Sequence, residues 1–187
     1  MSERTEQHGI TAGGDVAGGD IDKSLNIFNQ GLGRSPLATL IARYAEEVRF
    51  GFQGSEIIEK LQHWSTPESS EVLGVRDKLE RGNRPELVKF GLEAKELFTK
   101  CLARHQHSKF AQEMFAYLLG WMWQRFNATI RPRIVEGQSA EKIDSLIQIE
   151  IINPMEQMLD SNPLGIDPSE LSGMMYFLTG NCHLNWH

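Results

Sequence analysis

The chain has 187 residues, of which 40% are hydrophobic and 24% are charged. These values are near globular averages, and the length suits one domain with a hydrophobic core better than two. The formal net charge of -6 argues against non-specific binding to nucleic acid, because such binding depends on neutralising phosphates with Lys and Arg.

The sequence shows no sign of secretion or membrane insertion. Its richest apolar run, "FAYLLGWMW", is about half of the roughly 18 to 20 residues that a membrane-spanning helix needs. The N-terminus lacks the apolar segment of a secretory signal, and two cysteines, Cys101 and Cys182, form no disulfide framework. We therefore expect a cytoplasmic protein without a membrane role.

Residues 1–34 are rich in Gly, Ser, Asn and Asp and poor in large apolar side chains. Such a segment buries too little surface to offset the entropy lost on ordering. We therefore expect a flexible Gly/Asp-rich leader at 1–34 and a helical domain at 35–187. Within the leader, "GGDVA" is followed directly by "GGDID". Two repeats are too few for a solenoid, so they predict at most a short extended or hairpin segment.

From Ser35 onward, apolar residues recur at helical spacing. Ser35 suits an N-cap and Pro36 a first helical position, and the apolar stripe that follows reaches Val48. A shorter helix is predicted in "SEIIEKLQHW", with an apolar face from Ile57 to Trp64. Another is predicted in "EVLGVRDKLERG", ending at the Gly-Asn pair after it.

The second half of the chain predicts longer helices. "RPELVKFGLEAKELFTKCLARHQ" places Cys101 on an inward face, and Ser108 should cap "KFAQEMFAYLLGWMWQRFNATI", whose encircling apolar residues indicate a central helix. "RPR" and "VEGQ" then predict a turn. Ser139 should begin a helix that Pro154 kinks or interrupts, and Asp167 should cap the last helix with a capping box. Because strand signals are weak after residue 35, we predict an all-α bundle of about six or seven helices.

Cysteine and histidine residues suggest a zinc site or a nucleophile. Cys101 and His105 lie four residues apart, and Cys182, His183 and His187 crowd the last six residues. Zinc would accept four such ligands, but the close ligand pairs of structural sites are incomplete here. Free cysteine is among the most buried residue types, so we expect packed thiols and no metal.

Enzymatic activity has little support in the sequence. The side chains of the adjacent Cys182 and His183 would diverge in most backbone conformations, which disfavours a nucleophile–base pair. Carboxylates are interspersed with Lys and Arg on the predicted helix surfaces, as solvated faces require. Motifs of phosphate-binding loops, dinucleotide sites, zinc proteases and serine hydrolases are missing. We expect neither catalysis nor a cofactor.

A local basic strip supports an alternative function. Arg125, Arg131 and Arg133 follow the aromatic-rich helix that carries Trp121 and Trp123. Such a strip could contact phosphates and stack bases, although Arg near a helix C-terminus also interacts favourably with the helix dipole. Nucleic-acid binding through these arginines remains the alternative hypothesis.

Four segments carry a resemblance to a known family. They are "GMMYFLTGNCHLNWH" at the C-terminus, "LVKFGLEAKELFTK", "IINPMEQML" and, less specifically, "TAGGDVAGGD" in the leader. Together they resemble the C-terminal domains of bacterial ABC-three-component conflict systems, from about residue 35 to the end. The C-terminal segment is the most specific, and its marker residues are Gly173, Tyr176, Phe177, Gly180, Cys182, His183 and Trp186.

The resemblance implies a helical, non-catalytic domain that docks a partner or oligomerises. In such systems, this kind of domain works with a small middle component and an ABC ATPase to sense or restrict phage or plasmid DNA. No effector module precedes the domain in this sequence, so we expect either a free-standing subunit or the domain alone of a longer protein. We expect the last helix to end at Thr179 and Gly180, with Gly180 in the left-handed conformation, and Trp186 to be buried.

Overall fold

The computed structural model describes residues 35–52, 56–67, 73–159 and 162–187. These residues form seven helices and no strand, which confirms the predicted all-α fold. The predicted leader at 1–34 and its two five-residue repeats lie outside the described residues.

The first four helices are α1 Pro36–Phe50, α2 Glu59–Ser65, α3 Val75–Arg81 and α4 Val88–Arg104. A 3₁₀ turn, Pro85–Leu87, leads into α4. Helix α5 is continuous over Lys109–Arg125, Phe126–Ile130 and Arg131–Val135, and α6 over Ala140–Ile147, Gln148–Ile152 and Asn153–Leu159. In both, the middle segment is a π-helical turn. The last helix is α7 Pro168–Gly180.

The predicted N-caps form through side chains close in sequence. The hydroxyls of Ser35 and Ser108 accept hydrogen bonds from the third backbone N–H after each, at 3.1 and 3.0 Å. Asp167 accepts from the Glu170 N–H at 2.8 Å, and the Glu170 carboxylate accepts from the Asp167 N–H at 3.0 Å. This reciprocal pair is the predicted capping box.

Two prolines lie inside continuous helices. The prediction that "RPR" marks a turn is wrong, because α5 continues through Pro132 to Val135, and the chain turns only at Glu136 and Gly137. Proline lacks the N–H that would bond to the carbonyl four residues earlier, and its ring crowds that carbonyl. A π turn ends two residues before Pro132 and likewise before Pro154. The wider turn gives the ring room, so the predicted interruption at Pro154 takes this form.

Helix α7 has the most completely buried surface of the fold. It packs antiparallel along α4 and also contacts α3 and α5. An alanine Cβ at Gly173 would collide with the Ala94 carbonyl oxygen, and one at Gly91 would lie 2.8 Å from the Tyr176 ring. These two glycines therefore allow α4 and α7 to approach closely. Helix α5, predicted to be central, contacts α1, α2, α6 and α7.

Two predicted apolar positions are exposed. Val48, in the last turn of α1, is 53% exposed, and Ile57, which precedes α2, is 60% exposed. Periodicity identifies the face of a helix that can be buried, but the extent of burial depends on how far the neighbouring helix reaches. Cys101, by contrast, is completely buried as predicted.

Candidate interaction site and the C-terminal motif

The end of α7 is held by a pair of backbone hydrogen bonds. The His183 N–H donates to the Leu178 carbonyl at 2.9 Å, and the Cys182 N–H donates to the Thr179 carbonyl at 3.2 Å. This pairing is a Schellman motif, which requires a left-handed residue two positions after the last helical residue. Cys182 occupies that position with φ 67°.

The predicted left-handed role of Gly180 is therefore wrong, although α7 ends there as expected. Gly180 is the last residue of the helix, whereas the left-handed residue of the motif is Cys182, two positions later. A Cβ at Gly180 would collide with the Lys95 ammonium and lie 3.1 Å from the Val75 side chain. The Lys95 ammonium is the end of a flexible side chain that can move aside, so space alone does not require glycine at this position. Cys182 bears the left-handed conformation, which is uncommon for a non-glycine residue.

Trp186 is the anchor of the C-terminal motif and is only 1% exposed. Its indole N–H donates to the Thr179 hydroxyl at 3.0 Å. Its ring stacks on Tyr176 at 6.3 Å between centroids and meets Phe126 edge-on at 5.3 Å. The Arg84 guanidinium lies 6.0 Å from the ring centroid. Trp186 therefore joins side chains from the α3–α4 connection, α5 and α7.

A buried lysine from α3 also holds this region. The Lys78 ammonium donates to the Thr179 carbonyl at 2.7 Å and to the Leu184 carbonyl at 3.3 Å. A cation at this position interacts favourably with the negative end of the α7 dipole. Sequence reasoning missed Lys78, although its spacing from the buried residues Val75 and Leu79 places it on the apolar face of α3.

Arg84 is a second buried cation that sequence reasoning missed. Its guanidinium donates to both Asp144 carboxylate oxygens, at 2.6 and 2.8 Å, and to Glu86 at 2.6 Å. The hydrogen bond from Arg84 lowers the pKa of Glu86. Burial raises the pKa of the neighbouring Tyr176 to about 12. No local pattern predicts the pair with Asp144, because the two residues are 60 positions apart.

The remaining motif residues fill the space between α7 and its neighbours. Phe177 meets Phe98 edge-on at 5.3 Å between ring centroids. His183 is buried, with its ring 5.1 Å from Trp64 and 5.4 Å from His63. The motif therefore fastens α2 to the end of α7. Its aromatic and titratable groups take part in packing at this junction.

The candidate zinc ligands lie at opposite ends of α7. Cys101 is near the Arg104–Glu170 ion pair, in the first turn of α7, whereas Cys182 and His183 follow its last turn. A helix of this length separates its ends by about 20 Å, so these ligands cannot share one metal ion. Burial raises the pKa of Cys101. Among the described residues, no three His, Cys, Asp or Glu side chains are arranged to hold a metal.

The predicted arginine strip lies along the second half of α5. Arg125 donates to the Glu150 carboxylate at 2.9 Å and lies 5.9 Å from the Trp121 ring centroid. Arg133 donates to Glu136 at 2.9 Å. Arg131 is exposed. Two of the three charges are therefore balanced by neighbouring carboxylates, which weakens the positive potential available for phosphates.

Comparison of the sequence with known protein families gives a match. Residues 74–186 match the family described as C-terminal domain 9 of the ABC-three component (ABC-3C) systems. The chain belongs to this family. No curated protein and no solved structure gives a significant match to it. The matched part of this chain begins at Gly74, the residue before α3, and ends at Trp186.

The match therefore covers α3 to α7 and the whole C-terminal motif. Helices α1 and α2 lie outside it, as does the leader segment that contributed to the resemblance. The matched residues therefore include the α4–α7 pair and the residues that fasten it. Within the described ranges, none of the helices combines the length and apolarity that crossing a membrane requires.

Proposed function

We propose that this ABC-3C domain is a non-enzymatic assembly subunit of a bacterial anti-phage or anti-plasmid defence system. It acts in the cytoplasm by docking to the ABC ATPase or effector components of the same system. The observation that carries this proposal is the family match over residues 74–186, because an ABC-3C system by its name has several components.

The use of the polar groups in the motif supports a structural role over a catalytic one. The Lys78 ammonium donates to the Thr179 carbonyl at the end of α7, and the Thr179 hydroxyl accepts from the Trp186 indole N–H. The Cys182 N–H donates to the Thr179 carbonyl where the helix ends. The Cys182 thiol lies 4.0 Å from the Leu73 carbonyl oxygen. These groups are committed to holding the fold, which leaves the surface to provide the function.

Co-expression tests the docking proposal directly. The tagged full-length chain would be expressed with each product of the neighbouring genes, and the captured proteins would be identified by mass spectrometry. Capture of the ATPase or effector component, but not of an unrelated ATPase, is the expected result. A chain that remains alone with every neighbouring product would refute the proposal.

The non-enzymatic part of the proposal has a separate test. Cys182→Ser keeps the size of the side chain but removes the thiol nucleophile. The complete system carrying this variant should restrict phage or plasmids as the unmodified system does. Loss of restriction by a variant that still folds and still captures its partner would indicate catalysis by Cys182.

The alternative hypothesis of nucleic-acid binding makes a different prediction. Binding through Arg125, Arg131 and Arg133 would retard DNA or RNA in a gel at low salt and weaken steeply as salt rises. We expect no such retardation, since Arg125 and Arg133 pair with Glu150 and Glu136. Salt-sensitive retardation that Arg131→Gln abolishes would favour the alternative.

A further inference from the structure

A cavity of about 320 Å³ lies between the α3–α4 connection, the α5–α6 turn and the C-terminal motif. Its titratable lining residues are Arg81, Arg84 and His187, and no Asp or Glu side chain of the described residues lines it. Its apolar walls include Ile134 and Ala140. We call it the Arg81–Arg84 cavity. Small-molecule sites are typically cavities of about 300–1,000 Å³ with apolar walls and a few polar groups, so this cavity suits a small ligand.

The buried Arg84 keeps an unused donor group for this cavity. Arg84 is 5% exposed, and it donates from Nε to Glu86 and from Nη2 to both Asp144 oxygens. No hydrogen bond among the described residues uses its Nη1 group, which is nevertheless not fully enclosed. Glu86 and Asp144 do not line the cavity. The N–H groups of Nη1 are therefore the part of Arg84 that a ligand can reach.

Arg81 adds a second cation to the cavity. It is exposed in the last turn of α3 and forms no ion pair with a carboxylate of the described residues. Between the two arginines, Asn83 adopts a left-handed φ of 56°, and a Cβ at Gly82 would collide with the Trp186 carbonyl oxygen. The C-terminal motif thus fixes the backbone that carries both arginines. A fixed backbone reduces the entropy that binding costs.

We propose that the Arg81–Arg84 cavity binds a carboxylate that carries a small apolar group. The two carboxylate oxygens accept charge-assisted hydrogen bonds from Arg84 Nη1 and from Arg81, and the apolar group lies against the apolar walls. Asp144 and Glu86 already balance the charge of Arg84, so Arg81 supplies the positive charge that the ligand neutralises. A phosphate would bring a second negative charge close to Asp144 and Glu86, which favours the singly charged carboxylate.

Such a carboxylate belongs either to a free organic acid or to the C-terminal end of a peptide. Both present the same chemistry to the two arginines, and the experiment below separates them. This inference does not rest on the proposed docking function. A chain that binds a carboxylate but captures no other component would contradict only the docking function.

A titration of the full-length, ¹⁵N-labelled chain by nuclear magnetic resonance tests the proposal. The probes are 4-methylpentanoate, which is ionised at pH 7, and the uncharged 4-methylpentanamide at the same ionic strength. We expect saturable shifts of the backbone amides of Gly82, Asn83, Gly137 and Gln138 with the carboxylate. The dissociation constant should be millimolar, because the probe has only about eight non-hydrogen atoms. The amide should bind at least about tenfold more weakly.

Variants identify the groups that hold the ligand. Arg81→Gln should weaken binding at least about tenfold, because it removes the charged donor, and it should fold because Arg81 is exposed. Arg49→Gln is the matched control, since Arg49 is an exposed arginine of α1 outside the cavity and should leave binding unchanged. Ala140→Leu at the exposed start of α6 should also weaken binding, because the larger side chain fills part of the cavity without removing a charge.

A second titration identifies the source of the carboxylate. Its probes are acetyl-glycyl-leucine with a free carboxylate and the same peptide with an amidated end. Binding of the free peptide at least about tenfold tighter than that of 4-methylpentanoate would assign the cavity to a peptide end, and weaker binding would assign it to a free acid.

Three results would overturn the proposal. The first is the absence of saturable shifts with either carboxylate, and the second is equal binding of a carboxylate and its amide. The third is an Arg81→Gln variant that keeps a native spectrum and binds the carboxylate as tightly as the original chain.

Discussion

Replacing Trp186 by alanine tests the role of the C-terminal motif. Truncating a fully buried aromatic side chain costs about 3–5 kcal/mol. Loss of the hydrogen bond to Thr179 and of the contact with the Arg84 guanidinium adds about 1 kcal/mol. The expected cost of about 4–6 kcal/mol is a large fraction of the roughly 5–15 kcal/mol that stabilises a typical domain.

The free energy of unfolding would be measured by urea denaturation followed by far-ultraviolet circular dichroism. For a chain of this size, the loss corresponds to a fall in melting temperature of about 10–20 °C. Trp123→Ala is the control, because Trp123 is 40% exposed and its removal should cost far less. Deletion of 182–187 should cost at least as much as Trp186→Ala. A loss below about 1.5 kcal/mol in Trp186→Ala would refute the packing argument.

Three further predictions follow from the α4–α7 pair. Gly173→Ala should lower the free energy of unfolding in urea by about 2–3 kcal/mol, because the added Cβ would collide with Ala94. This loss is expected even though alanine ordinarily favours a helix over glycine. Unchanged stability would contradict the close approach of α4 and α7. The raised pKa of Tyr176 should make stability fall as pH rises from about 10 to about 12, because unfolding releases the phenol to ionise at its ordinary pKa. Tyr176→Phe should weaken this dependence in unfolding measured across that range and leave the part that comes from Tyr44, whose pKa burial also raises. A variant whose stability falls as steeply as that of the original chain would show that Tyr176 is not responsible. Iodoacetamide should modify the buried Cys101 only after unfolding, as followed by mass spectrometry, and rapid modification of native protein would contradict its burial.

Features that depend on neighbouring residues could be predicted from the sequence. Ser108 and Asp167 cap their helices through atoms within three residues, so the pattern itself contains both partners. The inward face of α4, with Cys101 buried, follows from helical spacing. These local rules establish which helices form and which face of each is apolar.

Features that depend on tertiary contacts could not be predicted in the same way. The pairing of Arg84 with Asp144 joins residues separated by much of the fold. Lys78 lies on an apolar face, but only the position of the α7 terminus shows which carbonyls it meets. The left-handed Cys182 could not be predicted from residue preference, because glycine is favoured at such a position but a cysteine occupies it here.

The two prolines explain why local rules misplaced the end of α5. A proline in a helix loses one hydrogen bond and crowds one carbonyl, so sequence reasoning favours a break. At Pro154 the carbonyl four residues earlier belongs to Glu150, and it accepts instead from the Arg125 side chain at 3.3 Å. The Arg125 guanidinium also donates to the Glu150 carboxylate. The arginine predicted to contact nucleic acid thus compensates for a proline in the neighbouring helix. This bond gives the Glu150 carbonyl a partner in place of the N–H that Pro154 lacks.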